Sequence, residues 1–303
     1  MPRSSSTGTF ANADRRTVEG FGREWSAFDQ SSLSAEERQR LFGRYFSLIG
    51  PEGLDPSAEV LDVGCGSGRW ASVIAPRVGH LALVDASGSA LQVARRNLDR
   101  ATNVSFHLAS AGDLPFADES FDLVYSLGVL HHVPDTESAI RSCASKVRQG
   151  GKLLLYLYYR FDDRPWWFRA LWKVSDACRR VICRLPFGIR RRVTDLIALV
   201  VYLPLARLAR LLDRLGACSR PIPLSFYRDA SLYTMRTDSL DRFGTRLERR
   251  FTRSEIAEML RKSGLVEVRF REDEPYWCVV GTKLPRAQLT GPPKRQPETT
   301  SVG

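Results

Sequence analysis

The run EVLDVGCGSGRW, residues Glu59 to Trp70, decides how the rest of the chain is read. Val60, Leu61 and Val63 are apolar and mostly β-branched, as expected of a strand buried on both faces of a parallel sheet. Gly64, Gly66 and Gly68 follow at two-residue spacing. Glycine lets the backbone turn sharply and leaves no Cβ between it and a ligand. A helix is expected over 69–76, its free N–H groups and positive dipole end facing the bend. Strand, bend and helix start form a site for the adenosine end of a cofactor. A dinucleotide fingerprint, G-x-G-x-x-G, has a third glycine that packs helix on strand. Here Arg69 holds that place, and the pattern is D-x-G-x-G-x-G. Asp62 adds negative charge beside the bend, which suits a sulfonium and an ammonium group better than a diphosphate. The competing reading is a tight turn with no ligand.

Working outward, strands are expected at 59–63, 80–85, 104–108, 121–126 and 152–158, with helices near 88–99 and 136–147 between them. Such alternation implies a doubly wound parallel sheet. Thr252-x-x-Glu255 opens a late helix with a capping box, and Gly264 closes it. Val266 to Arg271 and Tyr276 to Thr282 then read as two strands joined by a polar turn, Glu272 to Pro275.

At this point the chain resembles the class I S-adenosylmethionine-dependent methyltransferases, most closely the branch of ubiquinone- and menaquinone-biosynthesis methyltransferases. The likeness is carried by VLDVGCGSG, by LALVDAS ending at Ser87, and by LPFADESFDLVYSLGVLHHVPD from Leu114 to Asp135. RQGGKLLLYLY and FTRSEIAEMLRKSGL extend it. The resemblance implies an α/β fold: a doubly wound, mostly parallel, seven-stranded Rossmann-like sheet, here with a helical insertion after the fifth strand. It also implies S-adenosyl-L-methionine as cofactor.

Residue by residue, the resemblance gives Asp85 the ribose hydroxyls and places Ala86 and Ser87 beside the adenine. Asp62 helps hold the amino-acid end, and Gly64 offers its carbonyl to the ammonium group. Cys65, Gly66 and Gly68 complete the bend. Ser126 and Leu127 line the methionine portion with backbone atoms. Related chains often carry an acid five residues before the Pro of LPF, to meet the adenine amino group; here that place is Ser110, followed by Ala111, with Asp113 the nearest acid. His131 and His132 are candidate general bases for a hydroxyl acceptor, since histidine titrates near neutrality. The resemblance has this pair whatever the acceptor, which implies instead that one imidazole ties the loop down.

The other parts are read as follows. Residues 1–17 form a disordered lead without an apolar signal core. Residues 18–50 form a helical cover, with a helix from Trp25 to Ile49 and Trp25 or Phe28 over the site. Residues 51–159 and 246–284 form the methyltransferase domain, and 285–303 a disordered tail. The six cysteines form no C-x-x-C pair and no Cys/His cluster, so no metal is expected and the thiols are read as reduced.

Residues 160–245 are extra. The net charge is +11. Residues 160–215 hold thirteen Arg or Lys against five Asp, a surplus of eight. The apolar run Leu196 to Leu205 is too short and interrupted to span a bilayer, and Pro204 is expected to kink a helix there. The segment is either a substrate cap with solvated arginines or a basic amphipathic surface on anionic lipid. Ser225 to Phe251 reads as an irregular loop near the acceptor, with Tyr227, Arg228, Tyr233, Arg236 and Asp238 as contacts, and Asp241 or Arg246 as pins.

These readings converge on methyl transfer to an oxygen of a small, partly apolar or lipid- or saccharide-linked acceptor. The expected setting is cytoplasmic, with peripheral contact on the inner membrane face. The alternatives are a nucleic-acid methyltransferase, prompted by the basic charge, and a non-catalytic S-adenosylmethionine-binding protein. Base-modifying enzymes tend to carry an Asn/Asp-Pro-Pro-aromatic run after the fourth strand, where this chain has SLGVLHH. A hydride-transferring dehydrogenase fits least.

Overall fold

The computed structural model describes residues 10–50, 54–161, 164–219, 221–273 and 277–284. Two helices come first, α1 (Arg15–Ala27) and α2 (Ala35–Tyr45). Asp14 caps α1 by accepting the Thr17 N–H, and Ser34 caps α2 by accepting that of Glu37. The continuous helix expected from Trp25 to Ile49 is therefore two, broken where Gln30 takes a φ of 69°. Helix α1 also begins inside the stretch expected as a disordered lead. Residues 1–9 of that lead, and the tail 285–303, lie outside the described residues.

The sheet strands are β1 (Glu59–Val63), β2 (His80–Asp85), β3 (Val104–Leu108), β4 (Phe121–Leu127) and β5 (Val147–Tyr156), then β6 (Leu265–Phe270) and β7 (Cys278–Lys283). Their order is β3-β2-β1-β4-β5-β7-β6. The first five are parallel, and β7 runs antiparallel between β5 and β6. This is the seven-stranded, mostly parallel, doubly wound sheet expected. The order reverses between β1 and β4, the place where open α/β sheets bind ligands at the strands' carboxyl ends.

The helix after the glycine bend is shorter than expected: α3 covers Ala71–Ile74, and a 3-10 turn at Ala75–Arg77 holds Pro76. Proline lacks the N–H that a further turn would need. Helices α4 (Gly88–Asn97) and α5 (Thr136–Lys146) follow as expected. One face of the sheet packs on α5 and α10 (Arg253–Lys262) through Leu61, Val124, Ile140, Leu153 and Ile256. The other face packs on α2, α3 and α4 through Val60, Leu81, Phe42, Ile74 and Leu91. The Thr252/Glu255 capping box forms as read, and Gly264 follows α10 with a φ of 79°.

The insertion leaves the sheet at Tyr159 and returns at Phe251, where the two residues bridge side by side. It holds α6 (Trp166–Ile182), α7 (Phe187–Ile197), α8 (Leu203–Arg214) and α9 (Leu232–Gly244). Pro204, where a kink was expected, stands in the first turn of α8. A π-turn at Ala198–Tyr202 joins α7 to α8, with the Leu203 N–H reaching back to the Ala198 carbonyl, so the helix runs on into Pro204. The segment read as an irregular loop is largely α9, capped by Ser231.

Candidate active site

Backbone geometry builds the site first. The Gly64 and Cys65 N–H groups both donate to the Val84 carbonyl, 2.7 and 3.0 Å away, so the bend is pinned to β2. Gly64 has a φ of 83°, and a Cβ there would lie 2.4 Å from Val129. Gly66 has a φ of 54°, and a Cβ there would meet the Trp25 ring at 2.8 Å. Only glycine serves at either place. Trp25 thus lies on the bend, as expected; Phe28 is buried against Tyr233 instead.

Asp85 closes β2. One carboxylate oxygen accepts the Gly66 N–H at 2.9 Å and the other accepts the Ser87 N–H at 2.8 Å. Burial raises its pKa, opposed by these two donors. A carboxylate has about four acceptor positions, so two further hydrogen bonds can be taken from a vicinal diol.

Around Asp85 opens a pocket of ≈ 770 Å³, mouth included. Gly64, Asp85, Ala86, Ser110, Ala111 and Leu127 line it, together with Trp25 and His132. Its size is that of a small-molecule site, and its walls are largely apolar around a few polar groups, which suits a nucleoside. Asp62, Cys65, Gly66, Gly68, Ser126 and His131 are not in the lining. Asp62 accepts the Tyr125 hydroxyl at 2.8 Å inside the core, and burial pushes its carboxyl up to about 8. Cys65 packs in the core behind the bend, and burial pushes its thiol up. The Ser126 hydroxyl donates to the Val63 carbonyl at 2.8 Å, tying β4 to β1. Ser110 faces the pocket, yet its hydroxyl donates to the Ala11 carbonyl at 2.6 Å instead of standing free for adenine. Asp113 is exposed.

Sequence reasoning missed the strap that roofs the pocket. Asn12 donates to the Asp135 carbonyl and accepts the Asp135 N–H, both at 2.7 Å, so residues 11–12 are clasped to Ser110 and to the start of α5. Asn12, Asp14 and Phe21 all line the pocket. The only signal in the chain is the Asp14-x-x-Thr17 cap, which announces a helix and says nothing of where it docks.

The two histidines separate. His131 is fully buried, with neither ring nitrogen hydrogen-bonded; it stacks on Tyr158 at 3.8 Å, and burial beside His132 and Arg250 holds it neutral. His132 Nδ1 donates to the Leu247 carbonyl at 2.7 Å, the loop tie that the resemblance implied. A carbonyl can only accept, so this bond requires a proton on Nδ1; in the neutral ring Nε2 then carries the lone pair. Nε2 has no hydrogen-bond partner among the described residues; Asp241 Oδ1 lies 3.8 Å from it.

Beyond His132, buried polar and aromatic side chains cluster against the cap. Tyr158 donates to Asp241 Oδ2 at 2.7 Å, and Tyr227 is hydrogen-bonded to Asp238. Burial pushes Asp238 up to about 6, opposed by Arg69 and Tyr227. Burial, with Asp241 and Asp238 nearby, raises Glu24 well above the usual carboxylate range, and its Oε1 is unpartnered among the described residues. Glu24, Tyr158 and Asp241 had no assigned role in contacting the acceptor. Of the expected contacts, Tyr227 and Asp238 pair with each other in this buried cluster. Arg228 instead pairs with Asp213 at 2.9 Å, Tyr233 accepts the Gln30 N–H, and Arg236 grips Asp195 with two bonds of 2.9 and 2.8 Å.

Residues 61–155 match the family described as Methyltransferase domain. Over 135 residues the chain is 40% identical to Methyltransferase GfsG of Streptomyces halstedii, covering 42% of this chain and 47% of that protein. It is 38% identical over 133 residues to 27-O-demethylrifamycin SV methyltransferase of Amycolatopsis mediterranei, again 42% and 47%. Over 97 residues it is 40% identical to Ubiquinone biosynthesis O-methyltransferase of Alkalilimnicola ehrlichii, 31% of this chain and 39% of that one. The chain spans about half the length, or less, of these curated relatives. The matched segment runs from β1 to β5 and contains the glycine bend, Asp85 and the histidine pair, and over that segment the chain is similar to methyltransferase domains.

Proposed function

We propose that this chain transfers a methyl group from S-adenosylmethionine to an oxygen of a small, partly apolar acceptor, lipid- or saccharide-linked. One observation carries the reading: a single pocket is lined by both Asp85 and His132. Asp85 would take the ribose hydroxyls, Ala86 and Ala111 the adenine, and Gly64 and Leu127 the amino-acid end. When bound, S-adenosylmethionine supplies a methyl carbon activated by a sulfonium. Trp25 and Phe21 exclude water from above.

The acceptor would lie at the His132 end of the pocket, beside Phe21, Trp25, Val129 and Val133. A hydroxyl presented to His132 Nε2 gives up its proton there. The Leu247 carbonyl fixes the ring, and Asp241 at 3.8 Å favours the imidazolium that results. Tyr158 in turn holds Asp241. The names of two relatives, which specify O-methylation of those proteins' own substrates, support an oxygen target. The six cysteines are unbridged, which supports a cytoplasmic setting; the basic cap supports peripheral contact with the inner membrane face.

The test is incubation of the chain with methyl-labelled cofactor and fractionated cell extract, followed by mass analysis. Label in a small organic-soluble compound as a methyl ether is expected. Label confined to nucleic acid, or cofactor binding without any transfer, would overturn the reading.

A further inference from the structure

We infer that the outer face of the cap, formed by α6 and the α7–α8 helix, docks on an anionic lipid bilayer. The inference rests on this surface alone and holds whatever the chemistry beneath it. Among the described residues, every fully exposed large apolar side chain except Leu108 falls between residues 166 and 215. They are not scattered. On α6, Trp167, Leu171, Val174 and Val181 recur at three-, four- and seven-residue steps, which is one helical stripe. On α8, Leu208 and Leu211 recur three apart, and Leu215 follows four on, just past the helix end.

Both stripes are on the wrong side for a water-soluble helix. The protein-facing side of α6 carries Asp176 and Arg179, buried and paired at 2.8 Å. The protein-facing side of the α7–α8 helix carries Thr194, Ala198, Ala206 and Ala209, the last three with small methyl side chains. Trp167, Leu171, Val174, Leu208, Leu211 and Leu215 are thus left in water, while alanines and the Asp176–Arg179 pair are covered beside Ile182 and Tyr202. Burying a leucine is worth about 1.5–3 kcal/mol, so such a surface calls for a second apolar phase.

Charge says which phase. Arg169, Lys173 and Arg184 lie beside the α6 stripe, and Arg207, Arg210 and Arg214 beside that of α8. Arg169, Lys173 and Arg214 make no ion pair among the described residues. A second copy would bring this basic surface against itself, and like charges facing across an interface repel. Lipid phosphates complement it, while the apolar stripe enters the acyl boundary and Trp166, 75% exposed, meets the headgroup layer. No described helix is long and apolar enough to cross a membrane, so the cap would lie on the surface.

The experiment is co-sedimentation of the full chain with vesicles of phosphatidylcholine, alone or mixed with phosphatidylglycerol. Binding to the mixed vesicles only, weakening as salt rises, is expected. Leu208→Gln, Leu211→Gln and Leu215→Gln together should weaken partitioning about a hundredfold or more, and Arg214→Gln about fivefold, the equivalent of ~1 kcal/mol. Thermal unfolding and cofactor binding by calorimetry should be unchanged in both variants, which separates this inference from the methyl-transfer reading. No binding to phosphatidylglycerol at low salt, binding indifferent to the leucines, or a dimer in sedimentation velocity that the leucine variant abolishes would each overturn it.

Discussion

The sheet and the cap obey opposite rules of burial. In β1, β2 and β4 the aliphatic side chains Val60, Leu61, Leu81, Leu83, Leu123 and Val124 are essentially inaccessible to water. In the cap, the charged side chains of Asp176, Arg179 and Arg190 are buried beside Ile182, Ala198, Tyr202 and Ala206, while Leu171, Leu208, Leu211 and Leu215 are exposed. The sheet is held by exclusion of water, which is non-directional. The cap is held to α9 by directed, charge-assisted bonds: Arg179 donates to the Thr245 and Arg246 carbonyls at 3.0 and 3.1 Å, and Arg190 donates to that of Gly244 at 2.9 Å. A domain fastened this way can leave its apolar surface for something else.

The seam between the two regions gives the largest expected effect. His132→Asn keeps a side-chain donor in the vicinity of the Leu247 carbonyl and removes the Nε2 lone pair. It should slow single-turnover methyl transfer by about a hundredfold or more, the range of general acid–base catalysis, with the circular dichroism spectrum retained. A folded variant of unchanged rate would make His132 a fastener of the cap and nothing else.

Arg179→Met tests whether the cap is separately fastened. It leaves Asp176 buried without its main partner, a change of about 3 kcal/mol. Hydrogen exchange should rise in α6 and α9 while β1 and β4 stay protected. Equal loss of protection everywhere would show one cooperative unit and break the contrast. On the sheet side, Asp85→Ala should weaken S-adenosylmethionine by about 1.5–3 kcal/mol in calorimetry, without loosening α6. Unchanged affinity would remove Asp85 from the site.

The smallest effect is a pH dependence confined to the sheet. The folded-state pKa of Asp62, about 8, lies above its ordinary 3.8. Its contribution to stability is therefore full below about pH 4 and is lost as pH rises through about 8. Asp62→Asn keeps an acceptor for Tyr125 and removes the titration. Denaturant unfolding at about pH 5 and about pH 8 should show the unsubstituted chain losing more stability over that interval than the variant. Parallel losses would place the pH dependence elsewhere.

How much of this was legible follows from the same contrast. The strands could be read because burial on both faces writes a continuous apolar run, as in LALV of β2, and the Gly64–Gly68 spacing names its own geometry. Helix α9 was missed because its buried residues mix Thr234, Thr237 and Ser239 with Met235, Leu240 and Phe243; the three polar residues blur the apolar periodicity. The Ser110, Asn12 and Asp135 clasp was invisible because its partners lie far apart in the chain. Asp85 was given the ribose hydroxyls, and its place at the end of β2 puts it in the pocket lining. Asp62 was assigned a cofactor contact, but it turns into the core toward Tyr125, and side-chain direction at the last turn of a strand is set by neighbours that the local pattern does not contain.

The π-turn between α7 and α8 has a geometric effect of its own. Arg190, Thr194, Ala198, Tyr202 and Ala206 are all buried at four-residue steps. In an uninterrupted α-helix each such step drifts by about 40°, so the ends of the series would face nearly opposite ways. The wider turn at 198–202 takes up much of that drift and brings the two halves of the long helix into phase. Deleting one residue there would swivel everything beyond Pro204 by about 100°, turning leucines toward α9 and alanines toward open water: a single-codon change that reverses which side of the helix is greasy.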